Sequence, residues 1–324
     1  MIRLRGRQSL FCLRNFVLLL IASGGTEAQA QNWTMLFPGT FPPPRGYLAM
    51  TYDGATNKVI VFGGFDSTGY LNDTWLFDGN AWTKVRTPTA PPRRANAQMA
   101  YDSVSHKVVL FGGYNGRRWL GDTWLWDGAT LAWSPANPAN SPPGVTGPML
   151  FNDPNGRVDK FGGFDGNRYD GTFWRWTGVN WRQLHPSMVP YARSSAAVAL
   201  NPARNQVVLF GGLADVNPFN TWTYNGTAWT METVNRQPPL VYSGSAAYEP
   251  TLNSVILFGG GSGGSDQNST WSWNGLRWKQ LFPMHSPTPR EGAGMVYDAA
   301  LNRIILFGGQ NGNLLLNDTW ELVP

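Results

Sequence analysis

Apolar positions in this chain come in short bursts separated by polar turns, and the bursts recur about every 50 residues. Phe-Gly-Gly triplets begin at Phe62, Phe111, Phe161, Phe210, Phe258 and Phe307, and five of the six follow an apolar, largely β-branched run such as Val59-Ile60-Val61, Val108-Val109-Leu110 or Ile304-Ile305-Leu306. A continuous apolar run of that length, closed by glycine, reads as a strand buried on both faces. A tryptophan follows each triplet, at Trp75, Trp124, Trp174, Trp222, Trp271 and Trp320, and a second one comes later at Trp82, Trp133, Trp181, Trp229 and Trp278. Turn residues such as Asp78-Gly79-Asn80 and Asn225-Gly226 separate the two. The pattern predicts a unit of four short antiparallel strands. Strand a runs from about Gly46 to Tyr52, b ends at the glycine pair, c surrounds the first tryptophan and d the second.

Six units at a period near 50 residues predict an all-β, six-bladed propeller. The sixth unit lacks its own strand d, because Pro324 lies four residues after Trp320. Trp33-Thr34-Met35-Leu36 matches Trp82-Thr83-Lys84-Val85. An N-terminal strand at about residues 32–37 is therefore expected to complete the last blade, closing the ring and removing exposed sheet edges. The Phe-Gly-Gly triplets with their downstream tryptophan pairs resemble the kelch repeat of the galactose oxidase and kelch-like superfamily, in the manner of exported bacterial kelch proteins. The resemblance covers the chain beyond residue 30. It implies that ligands sit at the mouth of the central channel, on the face that carries the d-to-a and b-to-c loops.

The first 30 residues have a different character. Arg3, Arg5, Arg7 and Arg14, the apolar run from Phe16 to Ala22 and the sequence Ala28-Gln29-Ala30 read as a cleaved signal peptide. Residues 31–324 then form a single propeller domain, secreted or periplasmic. Cys12 is the only cysteine, so the expected mature chain has no disulfide and no thiolate ligand. Four of the 25 basic residues and one of the 20 acids lie in the leader, which leaves 21 against 19. That balance argues against a nucleic-acid partner. No later segment approaches the ~20 apolar residues of a membrane span, and a monomer is expected.

Four repeats place an arginine just before strand a: Arg45, Arg94, Arg193 and Arg290, with Gly144 and Val241 at the two remaining positions. If strand a is innermost, these groups ring the channel mouth and suit carboxylates; alternatively they bond neighbouring loop carbonyls. Tyr114, Arg117, Arg168 and Tyr169 in the variable loops complete the candidate ligand site. Asp159 and Lys160 stand where other blades are apolar, and are expected to pair locally, to reach water, or to face the channel. The acids of the Asp-Thr-Trp triplets at Asp73, Asp122 and Asp318 are expected to bond turn amides. His106, His185 and His285 have no companion at ligand spacing, so no metal or other cofactor is implied.

These features favour a non-catalytic module that recognises a glycan or a protein segment of anionic character. An alternative of another class is an enzyme resembling the bacterial sialic acid mutarotases, six-bladed kelch propellers acting on an acidic sugar; Glu291, beside Arg290, is the only glutamate at the channel-mouth position. Copper oxidation of the galactose oxidase kind needs a cysteine-crosslinked tyrosine, for which the chain beyond the leader has no cysteine.

Overall fold

The computed structural model describes residues 31–323; the predicted leader and Cys12 lie outside the described residues. Six four-stranded antiparallel sheets surround one axis, each ordered a-b-c-d. Blade 1 consists of Ala49–Asp53, Lys58–Phe62, Thr74–Phe77 and Trp82–Val85. The a strands of neighbouring blades pack against one another around the axis. Blade 6 takes a, b and c from Gly294–Asp298, Arg303–Phe307 and Thr319–Val323, and its d strand is Asn32–Leu36, with Trp33 opposite Leu322 and Met35 opposite Trp320. The ring is thus closed between the two ends of the chain, as the repeat pattern predicts. The one helical element among the described residues is a short 3-10 turn at Pro202–Arg204.

Tryptophans fill the wedges between blades. The strand-d tryptophans Trp33, Trp82, Trp133, Trp181 and Trp278 are buried. Each donates its indole N–H to a strand-c threonine of the preceding blade: Thr270, Thr319, Thr74, Thr123 and Thr221, at 2.8–3.1 Å. The threonine of the Asp-Thr-Trp triplet is therefore an inter-blade acceptor. Blade 3 carries Phe173 there; the next tryptophan, Trp229, packs against its ring at 5.7 Å and leaves its own N–H without a partner.

Strand a is shorter than its sequence predicts. It begins at Ala49 in blade 1 because Tyr47 adopts a left-handed conformation, φ 54°, which breaks the extended run. The same happens at Asn96, Gly147, Ser195, Ser243 and Gly292, with φ of 51–62°. These six residues hydrogen-bond in a circle. Asn96 N–H donates to the Tyr47 carbonyl, Gly147 to Asn96, Ser195 to Gly147, Ser243 to Ser195, Gly292 to Ser243 and Tyr47 back to Gly292, all at 2.7–2.9 Å. A closed ring of backbone bonds girdles the axis at the loop face.

In blade 3, charges replace apolar neighbours in matched pairs. Asp159 lies opposite Arg175 in the ladder, where blade 1 pairs Ile60 with Leu76. Lys160 donates to Asp170, which occupies the place of Leu71 and Leu120. All these charges are compensated locally, which a dry interior requires. Burial pushes Asp159 up to about 6, above the usual carboxylate range, outweighing the lowering effect of the Arg175 guanidinium, and the neighbouring Asp153 carboxylate, which also pairs with Arg175, adds to the rise. Burial also pulls Lys160 down.

Candidate functional site

The four arginines do not ring the channel mouth. Arg45, Arg94, Arg193 and Arg290 are at most 1% exposed. In each, one guanidinium nitrogen donates to the carbonyl of the first glycine after strand b (Gly63, Gly112, Gly211 and Gly308) at 2.9–3.1 Å. The Nε donates to a carbonyl two residues upstream, on Pro43, Pro92, Tyr191 or Thr288. Three of them clasp an aspartate with two nitrogens: Arg45 to Asp73, Arg94 to Asp122 and Arg290 to Asp318. Their carbonyl bonds match the alternative reading of these residues; the channel-mouth reading is corrected.

The same geometry corrects the expectation for the Asp-Thr-Trp acids. Asp73, Asp122 and Asp318 accept from arginine and from the indole N–H two residues on, at 2.7–2.8 Å, instead of from turn amides. The arginine holds each carboxyl below the usual carboxylate range against the opposing effect of burial. Blade 4 substitutes Asn220 for the acid, and burial pushes Arg193, which has only neutral acceptors, down to about 10. In blades 3 and 5 arginine and acid are absent together: Val145, which holds the arginine position in blade 3 where the sequence spacing put Gly144, goes with Thr172, and Val241 with Ser269. Each hydroxyl accepts the indole bond, and that of Thr172 also donates to Asp170 at 2.8 Å.

On the loop face, the variable loops of blades 1 and 2 assemble what the arginines do not. Phe65 and Tyr70, Tyr70 and Tyr114, and Tyr114 and Trp119 follow one another with ring centroids 5.4, 5.7 and 5.2 Å apart. Glycines at the hairpin tips permit this: a Cβ on Gly116 would meet the Tyr70 ring at 2.9 Å, and one on Gly166 would overlap Trp119. Beside this row is a cleft of about 460 Å³ lined by Thr68, Gly69, Tyr70, Arg93, Asn115 and Arg117. Arg93 and Arg117 are exposed, and no acid of the described residues lies within ion-pair reach of either.

Of the candidates read from the loops, Tyr114 and Arg117 belong to this site. Arg168 and Tyr169 sit one blade further on. Tyr169 packs on Phe164 at 5.0 Å, and the Arg168 side chain, 85% exposed, lies 3.5 Å from Asp165. Tyr70, Arg93 and Trp119 also contribute, and were outside the candidate set. The signal of Arg93 in the sequence is divergence, since Pro44 and Pro289 stand where blade 2 has Arg93.

The central channel opens on the opposite face. A cavity of about 350 Å³ runs along the a strands toward the a-to-b turns, while only about 50 Å³ remains beneath the backbone ring near the loop face. Glu291 lies beside that ring. Its Oε1 accepts from the Tyr47 hydroxyl at 2.7 Å and from Gln310 at 3.1 Å, a bridge between blades 6 and 1. Among the described residues no cluster of three or more His, Cys, Asp or Glu is placed to hold a metal ion, and no helix is long and apolar enough to cross a membrane.

The family model for the KLHDC2/KLHL20/DRC7 Kelch-repeats domain matches residues 26–212, and a search of curated proteins gives no significant match. With six four-stranded blades, a glycine pair after every strand b and a family match over more than half its length, the chain belongs to the kelch-repeat family.

Proposed function

We propose that this chain is an exported interaction module that holds an acidic segment of a protein partner on its loop face, in the cleft between blades 1 and 2. One observation carries the reading: two exposed arginines without acidic partners, Arg93 and Arg117, flank a cleft walled by Tyr70 and continuous with the exposed rings of Phe65 and Trp119. Guanidinium groups recognise carboxylates bidentately, and aromatic walls next to arginine are the usual composition of binding hot spots. Kelch propellers bind protein partners, which favours a peptide over a sugar; export rests on the leader composition alone.

The test is a peptide and glycan array with the mature chain, followed by affinity measurement of the best ligand. Arg93→Ala and Arg117→Ala should each weaken binding by about tenfold, the loss of one charge-assisted contact. Affinity should fall as salt is raised. Binding that ignores both substitutions, or selection of neutral glycans alone, would overturn the proposal.

A further inference from the structure

The wide end of the channel has a chemistry of its own. Where strand a runs out at the a-to-b turns, the aligned positions are Tyr52, Tyr101, Asn152, Leu200, Tyr248 and Tyr297, all lining the 350 Å³ cavity. The four tyrosines come from consecutive blades, 5, 6, 1 and 2, and so form one arc of the rim. Tyr248 and Tyr297 stand nearly perpendicular, at 76°, with ring centroids 6.5 Å apart. Deeper in, Ala100, Ala199, Ala247 and Met295 share the walls with Thr51, Gln98 and Ser245, and the cavity lining contains no charged side chain.

The surroundings of this arc are acidic. The residue after each rim position is Asp53, Asp102, Asp153, Asn201, Glu249 or Asp298, at most 3% exposed. These side chains turn away from the cavity and cap the a-to-b turns, as when Asp53 accepts from Ala55 N–H at 3.0 Å and Asp298 from Ala300 at 3.0 Å. They are not ligands themselves. Their field nevertheless reaches the phenols: all four tyrosines are shifted upward, first by burial and then by Asp53, Asp102, Glu249 and Asp298, with no cation among the causes. An arc of π-faces in a negative field, at the mouth of an uncharged cavity, attracts a positive charge that sheds water easily.

We infer that the a-to-b mouth of the channel is a second binding site, separate from the loop-face cleft, that takes a small organic cation of the quaternary ammonium class against Tyr248 and Tyr297. The cavity is of ligand size. Its alanine and methionine side chains accept the alkyl body, and the rings contact the methyl groups around the charge. A strongly hydrated ammonium sheds its water less readily than a quaternary one, while the hydroxyl protons of Tyr52, Tyr248 and Tyr297 are committed to Asn57, Asn253 and Asn302 of their own turns.

The test compares choline with 3,3-dimethylbutan-1-ol, which has the same shape without the charge, by calorimetric or NMR titration of the mature chain. Choline should bind roughly tenfold more tightly than the neutral isostere. Tyr248→Phe keeps the ring and should retain that preference, whereas Tyr248→Leu should abolish it without changing binding at the loop face. Equal affinity for the two probes, absence of choline binding, or a preference that survives Tyr248→Leu would each refute the site. The probe comparison uses the unaltered protein, so it decides the matter even if a variant fails to fold.

Discussion

The Arg94–Asp122 clasp gives the most direct test of how this fold is held together. The Arg94 side chain is 0% exposed, and its guanidinium bonds Asp122 at 2.7 and 2.8 Å besides the carbonyls of Pro92 and Gly112. Asp122→Ser copies blade 5, where Ser269 stands at that place and accepts from Trp271. It leaves a desolvated cation with neutral acceptors only. Removing one member of a buried pair costs about 3–5 kcal/mol. The Asp122 side chain is 36% exposed, so water relieves part of the loss and about 3 kcal/mol is expected. Arg94→Val, which likewise copies blade 5, leaves Gly112 without its donor and opens a cavity, costing about 2–3 kcal/mol.

The double variant removes the stranded charge along with the partner that needed it, and recreates the combination that blade 5 already carries as Val241 and Ser269. It should be about 2 kcal/mol more stable than the sum of the two single changes predicts. Urea unfolding followed by tryptophan fluorescence measures all four corners of this cycle. Additivity to within about 0.5 kcal/mol would show that arginine and aspartate contribute independently. The joint absence of the pair from blades 3 and 5 would then need another cause.

Two further outcomes follow from the same chemistry. Asn220→Asp supplies Arg193 with the anion its sibling arginines have and returns it from about 10 toward its ordinary value; stabilisation of about 1–2 kcal/mol is expected in the same assay, and an unchanged or lowered midpoint would refute it. Asp159 is raised from 3.8 to about 6 in the fold, so the stability tied to its proton is complete below pH ~4 and is lost as pH climbs through 6. Asp159→Asn, which cannot ionise, should therefore gain on the wild type by up to about 3 kcal/mol between pH 4 and 7; a stability difference independent of pH would count against the buried, shared carboxylate.

Strands and closure were legible in the sequence because they are written in spacing. The Phe-Gly-Gly period and the match of Trp33 to Trp82 depend on backbone repetition alone, and the sheets follow them. Side-chain direction was not legible where a left-handed residue interrupts the alternation. Because strand a is innermost, Arg45 is expected at the channel mouth; Tyr47, at φ 54°, interrupts the run between the two, and the guanidinium lies buried beside Asp73. A phase cannot be carried through such a residue, and nothing in the type tyrosine announces it.

Recurrence among six copies therefore does not by itself separate architecture from function, but recurrence of partners does. Arginine appears with an aspartate or asparagine 27 or 28 residues later and vanishes with it, which marks a structural bond. The rim tyrosines behave differently. Their turn partners are left-handed residues such as Asn57, Asn253 and Asn302, and blade 4 keeps the corresponding Asn205, at φ 48°, where the tyrosine has become Leu200. The turn thus does not require the phenol. Tyr52, Tyr101 and Tyr297 also pack against the cores between blades, but a ring that its turn does not need can serve a ligand with its remaining face, as Arg93 and Arg117 can on the loop face.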